Sequence, residues 1–356
     1  GRDRGGPELG GGWRSNQELL DIRARPRSNR FTRISSKSFK YSKRKLLMNS
    51  DLKLRIAELK ERKNAIILAH NYQLSEVQLV ADILGDSLEL AMASAKTDAD
   101  LIVFAGVDFM AETAAILNPD KKVVIPDPGA RCPMAAQLPP DVIREARKKH
   151  KGAAVVLYVN TLAEAKAESD VICTSANSPQ IVNALEEDTV LFGPDKNLAW
   201  FAQRRSDKKI IPIPENGYCY VHKMFTAADI ALLKERYPDA EVLVHPECDP
   251  EVQQLATHVC STSQMLLRTK ASPAKRFIIA TEIGLVERMR RENPSREFIP
   301  ALNTAVCREM KRHTLEKVYR ALKDEEHVVK VPEPIAERAR ASIKRMLELT
   351  GKAVQD

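Results

Sequence analysis

The stretch AIILAHNY, residues 65–72, decides the fold because its pattern occurs three times along the chain. An apolar run followed by polar residues is typical of a buried parallel strand with functional residues at its end. In each copy a His or Tyr lies seventeen residues before a hydroxyl residue, and a Tyr, Asn or Glu lies fifteen residues before it. The chain therefore uses one structural unit three times. The aligned residues are His70, Tyr158 and His245, then Tyr72, Asn160 and Glu247, then the hydroxyl residues Ser87, Ser175 and Thr262.

Three of the six cysteines continue this repeat. Cys132, Cys219 and Cys307 are separated by 87 and 88 residues and follow the hydroxyl residues by 44 or 45 residues. Cys173 and Cys260 form only an incomplete set, and we expect them to be small buried thiols. Three matched thiols from three matched units predict a single metal centre on a pseudo-threefold axis, with one coordination position open for substrate.

Short apolar runs alternate with amphipathic stretches throughout the repeat. The runs predict buried parallel strands, and the stretches, whose apolar residues recur with the helical period, predict helices. Because strands that alternate with helices are typical of βαβ units, we predict an α/β fold with short parallel sheets. Ligands of such sheets bind beyond the carboxyl ends of the strands, where the repeated polar residues fall. The predicted strands are Ala65–Ala69, Leu101–Ala105, Ala153–Val159, Thr189–Phe192, Glu241–Val244 and Phe277–Ala280, and the predicted helices include Glu76–Leu84, Asp141–Lys149 and Ala227–Arg236.

The spacing divides the chain into a leader and three units of roughly 85 residues, near the lower end of domain size. Residues 1–47 hold 13 Lys or Arg and 4 Asp or Glu, so their net charge is 13 − 4 = +9. Their Gly-, Arg- and Ser-rich composition predicts a disordered basic leader, a tag or an extension, and it weakly resembles a transit peptide. We predict units at 48–131, 132–218 and 219–329, and a C-terminal helix within 330–356 that packs on the first unit.

The distribution of charge and cysteine excludes several classes of protein. Against +8 for the whole chain, the part after residue 47 carries +8 − 9 = −1, which does not favour contacts with a nucleic-acid backbone. No apolar run approaches the about 20 residues that span a bilayer. We therefore predict a cytoplasmic protein with no nucleic-acid and no membrane partner. Six cysteines in such a chain favour metal or catalytic use over disulfides, and the lack of a P-loop or Rossmann fingerprint argues against a nucleotide-dependent enzyme.

The residue pattern leaves two kinds of metal centre open. Cys219 and His222 are three residues apart, so together with the other two thiols they could form a Cys₃His zinc site. Single thiols on three equivalent loops suit an iron–sulfur cluster better, because such clusters are held by thiolates. In a 4Fe–4S cluster with three thiolates, one iron lacks a protein ligand and can act as a Lewis acid on a substrate.

The repeated residues lie in motifs that extend, in order, from residue 48 to the C-terminal helix. Taken together, these motifs resemble the quinolinate synthase family. They are Ala69-His70-Asn71-Tyr72-Gln73, Asp86-Ser87-Leu88, Cys132-Pro133-Met134, Tyr158-Val159-Asn160-Thr161, Thr174-Ser175-Ala176-Asn177, Phe192-Gly193-Pro194-Asp195, Gly217-Tyr218-Cys219, His245-Pro246-Glu247 and Ser261-Thr262-Ser263-Gln264-Met265.

The resemblance implies an enzyme of NAD biosynthesis that condenses iminoaspartate with dihydroxyacetone phosphate to quinolinate, with loss of phosphate and water. It implies three αβα units around a pseudo-threefold axis and a 4Fe–4S cluster held there by Cys132, Cys219 and Cys307. An upstream aspartate oxidase or dehydrogenase would supply the imine. One departure is Cys260, because the family commonly has Gly at this position, two residues before Thr262.

The resemblance also implies which residues contact the substrates. We expect Glu247 to be the catalytic base, and His70, Tyr72 and Tyr158 to bind or protonate developing oxyanions. A strand-end His or Tyr can instead be only a packed, hydrogen-bonded group, and His222 can line the cavity or act as a fourth metal ligand. The substrate residues by motif position are His70, Ser87, Tyr158, Asn160, Ser175, His222, His245, Glu247 and Thr262.

The three hydroxyl residues suggest how anionic substrates are held. Ser87, Ser175 and Thr262 each precede a helix-like stretch, so we expect their hydroxyls to be N-caps. Because a helix N-terminus favours anions, we expect three such termini to bind the two carboxylates and the phosphate of the substrates. On the residues alone, two other functions stay open: an iron or redox sensor whose leader binds nucleic acid, and a zinc-dependent aldol-type enzyme.

Overall fold

The computed structural model describes residues 36–351, with side chains described from residue 49 onward. Its contacts cluster into two units, Gly1–Leu46 and Leu47–Asp356, and the second contains the whole repeat. Most of the predicted leader, residues 1–35, lies outside the described residues. Helix α1 spans Ser36–Arg62, and residues 36–47 of the predicted leader form its first part. Among the described residues, no helix is both long and apolar enough to cross a bilayer.

Twelve strands form three parallel four-stranded sheets within the described residues. In each sheet the first strand pairs with both the second and the third, and the fourth lies outside the third. The α/β prediction is therefore confirmed. The first sheet contains β1 Ala65–His70, β2 Ile83–Gly85, β3 Leu101–Ala105 and β4 Lys122–Val124; the second β5 Ala154–Tyr158, β6 Val171–Cys173, β7 Thr189–Gly193 and β8 Lys209–Pro212; the third β9 Glu241–Val244, β10 His258–Val259, β11 Arg276–Ala280 and β12 Glu297–Pro300.

Helices follow the strands in the same order in each unit. A short 3-10 turn begins three residues after each matched cysteine, at Ala135–Gln137, His222–Met224 and Met310–Arg312. The α-helices after α1 are α2 Ser75–Gln78, α3 Ser87–Lys96, α4 Asp108–Leu117, α5 Pro140–Lys149, α6 Ala163–Lys166, α7 Ser178–Asn183, α8 Lys196–Gln203, α9 Ala227–Arg236, α10 Pro250–Gln254, α11 Thr262–Ala271, α12 Ile283–Glu292, α13 Leu315–Asp324 and α14 Glu333–Leu349.

The predicted helix Glu76–Leu84 is wrong. Helix α2 ends at Gln78, and the apolar residues that follow enter strand β2. The carboxylate of Asp82 accepts a hydrogen bond from the backbone N–H of Ile67 at 2.8 Å, which holds this segment against β1. Tertiary pairing thus overrides a local pattern that had the helical period.

One side chain on a short helix ties down the loop after the first strand of each unit. Its nitrogen donates to the carbonyl five residues earlier, and this position is Gln, Lys and Gln in turn. Because the loop carries the polar residues that follow the strand, the bond fixes where these residues point. The donor–acceptor pairs are Gln78 with Gln73 (3.0 Å), Lys166 with Thr161, and Gln253 with Cys248 (2.8 Å).

The last two helices, α13 and α14, pack on sheets whose strands lie much earlier in the chain. Leu315, Val318 and Leu322 of α13 are fully buried in one cluster with Ile67 of β1 and Val103 of β3. Burial of each such side chain contributes about 1.5–3 kcal/mol. Helix α14 was expected to pack on the first unit. It contacts α4 there, but it contacts β6 and α6 of the second sheet more extensively.

Candidate active site

The carboxyl ends of the three sheets surround one cavity of about 760 Å³, including the space at its mouth. His70 ends β1, Tyr158 ends β5 and His245 directly follows β9. Because equivalent strand ends point to one place, residues far apart in sequence meet there. The candidate residues predicted from the sequence all line this cavity: His70, Tyr72, Ser87, Cys132, Tyr158, Asn160, Ser175, Cys219, His222, His245, Glu247, Thr262 and Cys307.

The three loops that carry the matched cysteines contact one another directly. Gln137, after Cys132, exchanges two hydrogen bonds with the backbone of Tyr218, at 3.1 and 3.0 Å. Tyr220, after Cys219, donates to Glu309 at 2.6 Å and accepts from the backbone N–H of Arg308 at 2.9 Å. Arg312, beyond Cys307, pairs with Asp127 before Cys132 at 3.3 Å. The contacts therefore form a closed ring of three loops.

The chemistry of the three thiols fits a metal centre. None of them forms a disulfide, and their charges interact with one another through space. Burial raises the pKa of Cys307 to about 12 and raises the pKa values of Cys132 and Cys219 as well. Three thiols that share a cavity can lose their protons to ligate a metal ion, so the donor set suits a metal centre.

The other cysteines do not line the cavity. Cys173 and Cys248 are fully buried and Cys260 is 7% exposed, and burial raises the pKa of each thiol. The sulfur of Cys260 faces the carbonyl of His258 at 3.9 Å. The structure thus separates the matched set from the remaining thiols in the described part of the chain.

Cys219 also belongs to a second possible metal-binding group. Its sulfur, a ring nitrogen of His222 and a carboxylate oxygen of Glu247 all lie within 4.8 Å of one another. The Nδ1 atom of His222 lies 2.7 Å from Glu247 Oε2, which is a hydrogen-bond distance. When Nδ1 donates this bond it has no lone pair for a metal ion, so the group as arranged here is a hydrogen-bonded triad.

The two strand-end histidines are held in the same way. Nδ1 of His70 accepts the backbone N–H of Tyr72 at 3.2 Å, and Nδ1 of His245 accepts that of Glu247 at 3.3 Å. Burial lowers the pKa of both rings to about 3, so both are neutral near pH 7. A neutral ring that accepts at Nδ1 carries its proton on Nε2, and each ring therefore has an N–H donor left for a ligand.

Glu247 lies at the centre of a hydrogen-bond network. Its Oε1 accepts the hydroxyl of Tyr158 at 2.6 Å and faces the amide of Asn160 at 3.4 Å. Burial raises the pKa of this carboxyl, but His222, His245 and the Tyr158 hydroxyl outweigh burial and hold the pKa below its usual value. Asp86, the other carboxylate that lines the cavity among the described residues, has its pKa raised by burial. The lowered pKa keeps Glu247 ionised near pH 7.

Tyr72 reaches across the cavity to the third sheet. Its hydroxyl lies 2.5 Å from Thr281 Oγ1 and 3.5 Å from His222 Nε2. Burial raises its pKa far above the usual value, so the phenol keeps its proton. Thr281 directly follows β11 and is fully buried. The sequence analysis missed it because it lies outside the aligned positions.

The expected hydroxyl N-caps are wrong. Ser87 and Thr262 are the first residues of α3 and α11, and the caps are the residues before them, Asp86 and Ser261, each in a capping box. Ser175 lies three residues before the six-residue helix α7. The sequence signal for the true caps was the pattern of a small polar residue followed by Glu or Gln three residues later. Two long helices, not three, therefore begin at the cavity with these residues.

Asn71 is a further residue that the sequence analysis did not single out. It is fully buried, and its amide nitrogen donates to Thr262 Oγ1 at 2.9 Å. Arg288 donates to its amide oxygen. Because Thr262 accepts from Asn71, the hydroxyl hydrogen of Thr262 is available to a ligand in the cavity.

Three parallel sheets around one cavity, with a matched thiol after the fourth strand of each sheet, define a class of α/β proteins with a candidate metal centre. The family model described as quinolinate synthetase A protein matches residues 54–348. The chain belongs to the quinolinate synthase family, and the resemblance predicted from its motifs is confirmed.

Similarity to individual relatives supports this assignment, and it extends over nearly the whole length of each relative. A quinolinate synthase from Methanothermobacter thermautotrophicus is 58% identical over 304 residues, which cover 85% of this chain and 100% of the relative. Quinolinate synthases from Methanocaldococcus jannaschii and Pyrococcus horikoshii are each 52% identical, over 307 and 300 residues. These matches cover 85% and 84% of this chain, and 100% and 99% of the relatives.

Proposed function

We infer that this chain is a quinolinate synthase of NAD biosynthesis. The observation that carries this conclusion is the 58% identity to a relative of that name over its full length. The single cavity that gathers the predicted site residues supports the same conclusion. The substrates are proposed from the family: iminoaspartate and dihydroxyacetone phosphate condense to quinolinate, with loss of phosphate and water. We propose that the reaction occurs in the cytoplasm and that an aspartate oxidase or dehydrogenase supplies the imine.

The cavity carries the donors that these anionic substrates need. His70 and His245 each have an N–H free at Nε2. The hydroxyls of Ser87 and Thr262 lie on the first turns of α3 and α11, where the helix dipole favours negative charge. We propose that these four groups, with Asn160 and Ser175, bind the carboxylates and the phosphate. Neutral donors suit this task because they hold an anion without neutralising it by proton transfer.

Cys132, Cys219 and Cys307 are proposed to hold the 4Fe–4S cluster. The three thiols fit it because they line one cavity and lie on loops that contact one another. When bound, a cluster with three thiolate ligands supplies one iron that acts as a Lewis acid on a substrate oxygen. His222 is placed to orient Glu247 and to contact substrate.

Proton transfers are assigned to Glu247 and the two tyrosines. Glu247 is an ionised carboxylate that lines the cavity, and we propose that it takes a proton from a substrate carbon. Tyr158 donates to it and keeps its own proton, and substrate binding must release one of the bonds to Glu247. Tyr72 and Tyr158 then serve as hydrogen-bond donors to oxygen atoms that develop negative charge.

An anaerobic assay for quinolinate, started with iminoaspartate and dihydroxyacetone phosphate, tests the proposed function. Wild type should form quinolinate and contain about four irons and matching sulfide per chain. Cys219→Ser should lose both properties. Cys173→Ser is the matched control, since Cys173 is buried outside the cavity, and it should keep both. A wild-type protein that forms no quinolinate under these conditions would contradict the proposal.

A second candidate is a zinc enzyme of the aldol type, in which Cys219, His222 and Glu247 would bind the metal once His222 Nδ1 no longer donates to Glu247. Metal analysis of the anaerobically purified protein separates the two. One zinc per chain, with neither iron nor sulfide, would support the zinc enzyme, and His222→Gln should then release the zinc. Under the cluster proposal the same variant keeps its iron, because His222 is not a ligand.

A further inference from the structure

Each cysteine loop docks on the first turn of a long helix. In every unit the backbone N–H at the helix start donates to the carbonyl two residues before the cysteine. The three helices α4, α8 and α12 occupy equivalent places in their units, each after the third strand of a sheet. The donor–acceptor pairs are Asp108 with Ala130 (2.8 Å), Lys196 with Gly217 (2.9 Å) and Ile283 with Ala305 (3.0 Å).

A carboxylate at the same helix start reaches the cysteine itself. Asp108 Oδ1 accepts the backbone N–H of Cys132 at 3.0 Å, and Glu282 Oε1 accepts that of Cys307 at 3.2 Å. In the second unit the carboxylate at the helix start is Asp195, whose Oδ1 accepts the backbone N–H of Leu198 at 2.7 Å.

Each of the three units has a carboxylate at this helix start, but not at the same position of the helix. Asp195 and Glu282 are the N-cap residues of α8 and α12. In the first unit the N-cap is Val107, which has no side-chain acceptor, and the carboxylate comes from the next residue, Asp108. Because the carboxylate bonds to the cysteine backbone from either position, its role is not limited to capping the helix.

Two of these carboxylates lie in the protein interior, where a charged group is unfavourable. Asp195 and Glu282 are fully buried, and burial is the main cause that raises their pKa values. Lys311 pairs with Glu282 at 2.9 Å. For Asp195 no cation is among the described partners, and its Oδ2 has no hydrogen-bond partner among the described residues. Burial of a carboxylate is unfavourable unless the group is paired or hydrogen-bonded.

We propose that Asp108 and Glu282 are positioning residues that hold the loops of Cys132 and Cys307, so that their sulfur atoms meet that of Cys219 at one metal centre. This inference rests on the proposed function. Groups that orient metal ligands affect metal affinity by about 10- to 100-fold when they are removed.

Retention of iron by the reconstituted protein tests the proposal. Asp108→Ala and Glu282→Ala should hold iron about 10- to 100-fold less tightly against a competing chelator. Asp108→Asn keeps an oxygen acceptor, so it should retain iron like wild type. Asp170→Ala is the matched control: Asp170 Oδ2 also accepts a backbone N–H, that of Val155 at 2.7 Å, but Val155 does not lie on a cysteine loop. It should leave iron retention unchanged.

The outcomes separate this inference from the proposed function. Wild-type iron retention in both alanine variants overturns the inference while the enzyme assignment stands. The inference is also overturned if the metal-free alanine variants lose the far-ultraviolet circular dichroism of wild type. The hydrogen bonds to the cysteine loops would then be needed for folding. If Asp108→Asn loses iron as Asp108→Ala does, the hydrogen bond is not the cause. A wild-type protein that takes up no iron and sulfide refutes the proposed cofactor instead.

Discussion

At the scale of single residues, the decisive feature is the ionised carboxylate of Glu247 among neutral donors. Glu247→Gln keeps the shape of the side chain but removes the charge that accepts a proton. We expect the rate of quinolinate formation to fall about 100- to 10,000-fold with little change in Tm. Steady-state kinetics and thermal unfolding check this, and Glu287→Gln on α12, outside the cavity, is the control. A variant with wild-type kcat would exclude Glu247 as the base.

Asn71 should act through Thr262. Removing the amide in Asn71→Ala leaves the Thr262 hydroxyl free to rotate, so a donor to the substrate anion is lost. A hydrogen bond to a charged group contributes about 1.5–3 kcal/mol, so KM should rise about 10- to 100-fold. Thr262→Val should have the same effect, and the double variant should add little to it. Fully additive effects of the two changes would refute the relay.

The buried histidines make the stability of the protein dependent on pH. His70 and His245 have pKa values near 3 in the folded chain and about 6.5 when unfolded. Below pH 6.5 the unfolded chain binds protons that the folded chain does not, so stability is present above pH 6.5 and is lost as pH falls toward 3. Each histidine contributes a slope of at most about 1.4 kcal/mol per pH unit.

Denaturant unfolding of the metal-free protein at pH 7 and pH 5 measures this slope. His245→Gln should lower stability at pH 7 and reduce the loss between the two pH values. His150→Gln is a control, because His150 is partly exposed at the end of α5. An unchanged slope in His245→Gln would show that other groups cause the acid sensitivity.

Spacing predicted the cavity residues because equivalent strand ends of a repeated unit must meet. It could not predict their partners, since each partner comes from another unit. Asn71 and Thr262 are 191 residues apart, and Tyr72 and Thr281 are 209 apart. The caps were misplaced by one residue at Ser87 and Thr262 because a hydroxyl at the first helical position resembles one at the cap.

At the scale of elements, the long central strands were predictable and the short edge strands were not. Strands β3 and β11 are apolar runs buried nearly throughout, whereas β2, β6 and β10 contain only two or three residues. Such short segments carry no periodicity of their own. Pairing with a central strand creates them, as the bond from Ile67 to Asp82 illustrates.

Helix α13 should be essential for the first sheet. Leu322→Ala removes a fully buried side chain between α13 and that sheet and should destabilise the protein by about 2–5 kcal/mol. Denaturant unfolding of the metal-free protein checks this. Leu267→Ala on α11 is the control, because Leu267 is 64% exposed, and it should change the free energy of unfolding little. Equal effects of the two substitutions would contradict the assigned packing.

At the scale of the whole molecule, the relatives separate the core from the leader. A match of 304 residues covers a relative completely but only 85% of this chain. A variant that lacks residues 1–35 should therefore keep the kcat and the KM values of the full chain, as measured by quinolinate formation. Loss of activity would show that the leader contributes to the enzyme.

The packing of α13 on β1 and β3 sets an order of events during synthesis. A nascent chain that has emerged only as far as the third sheet has two of its three thiol loops in place and an uncovered apolar face on the first sheet. Only when residues 307–324 leave the ribosome do the last thiol and the covering helix arrive together. A metal centre that needs all three thiols can thus be completed only after translation of nearly the whole chain.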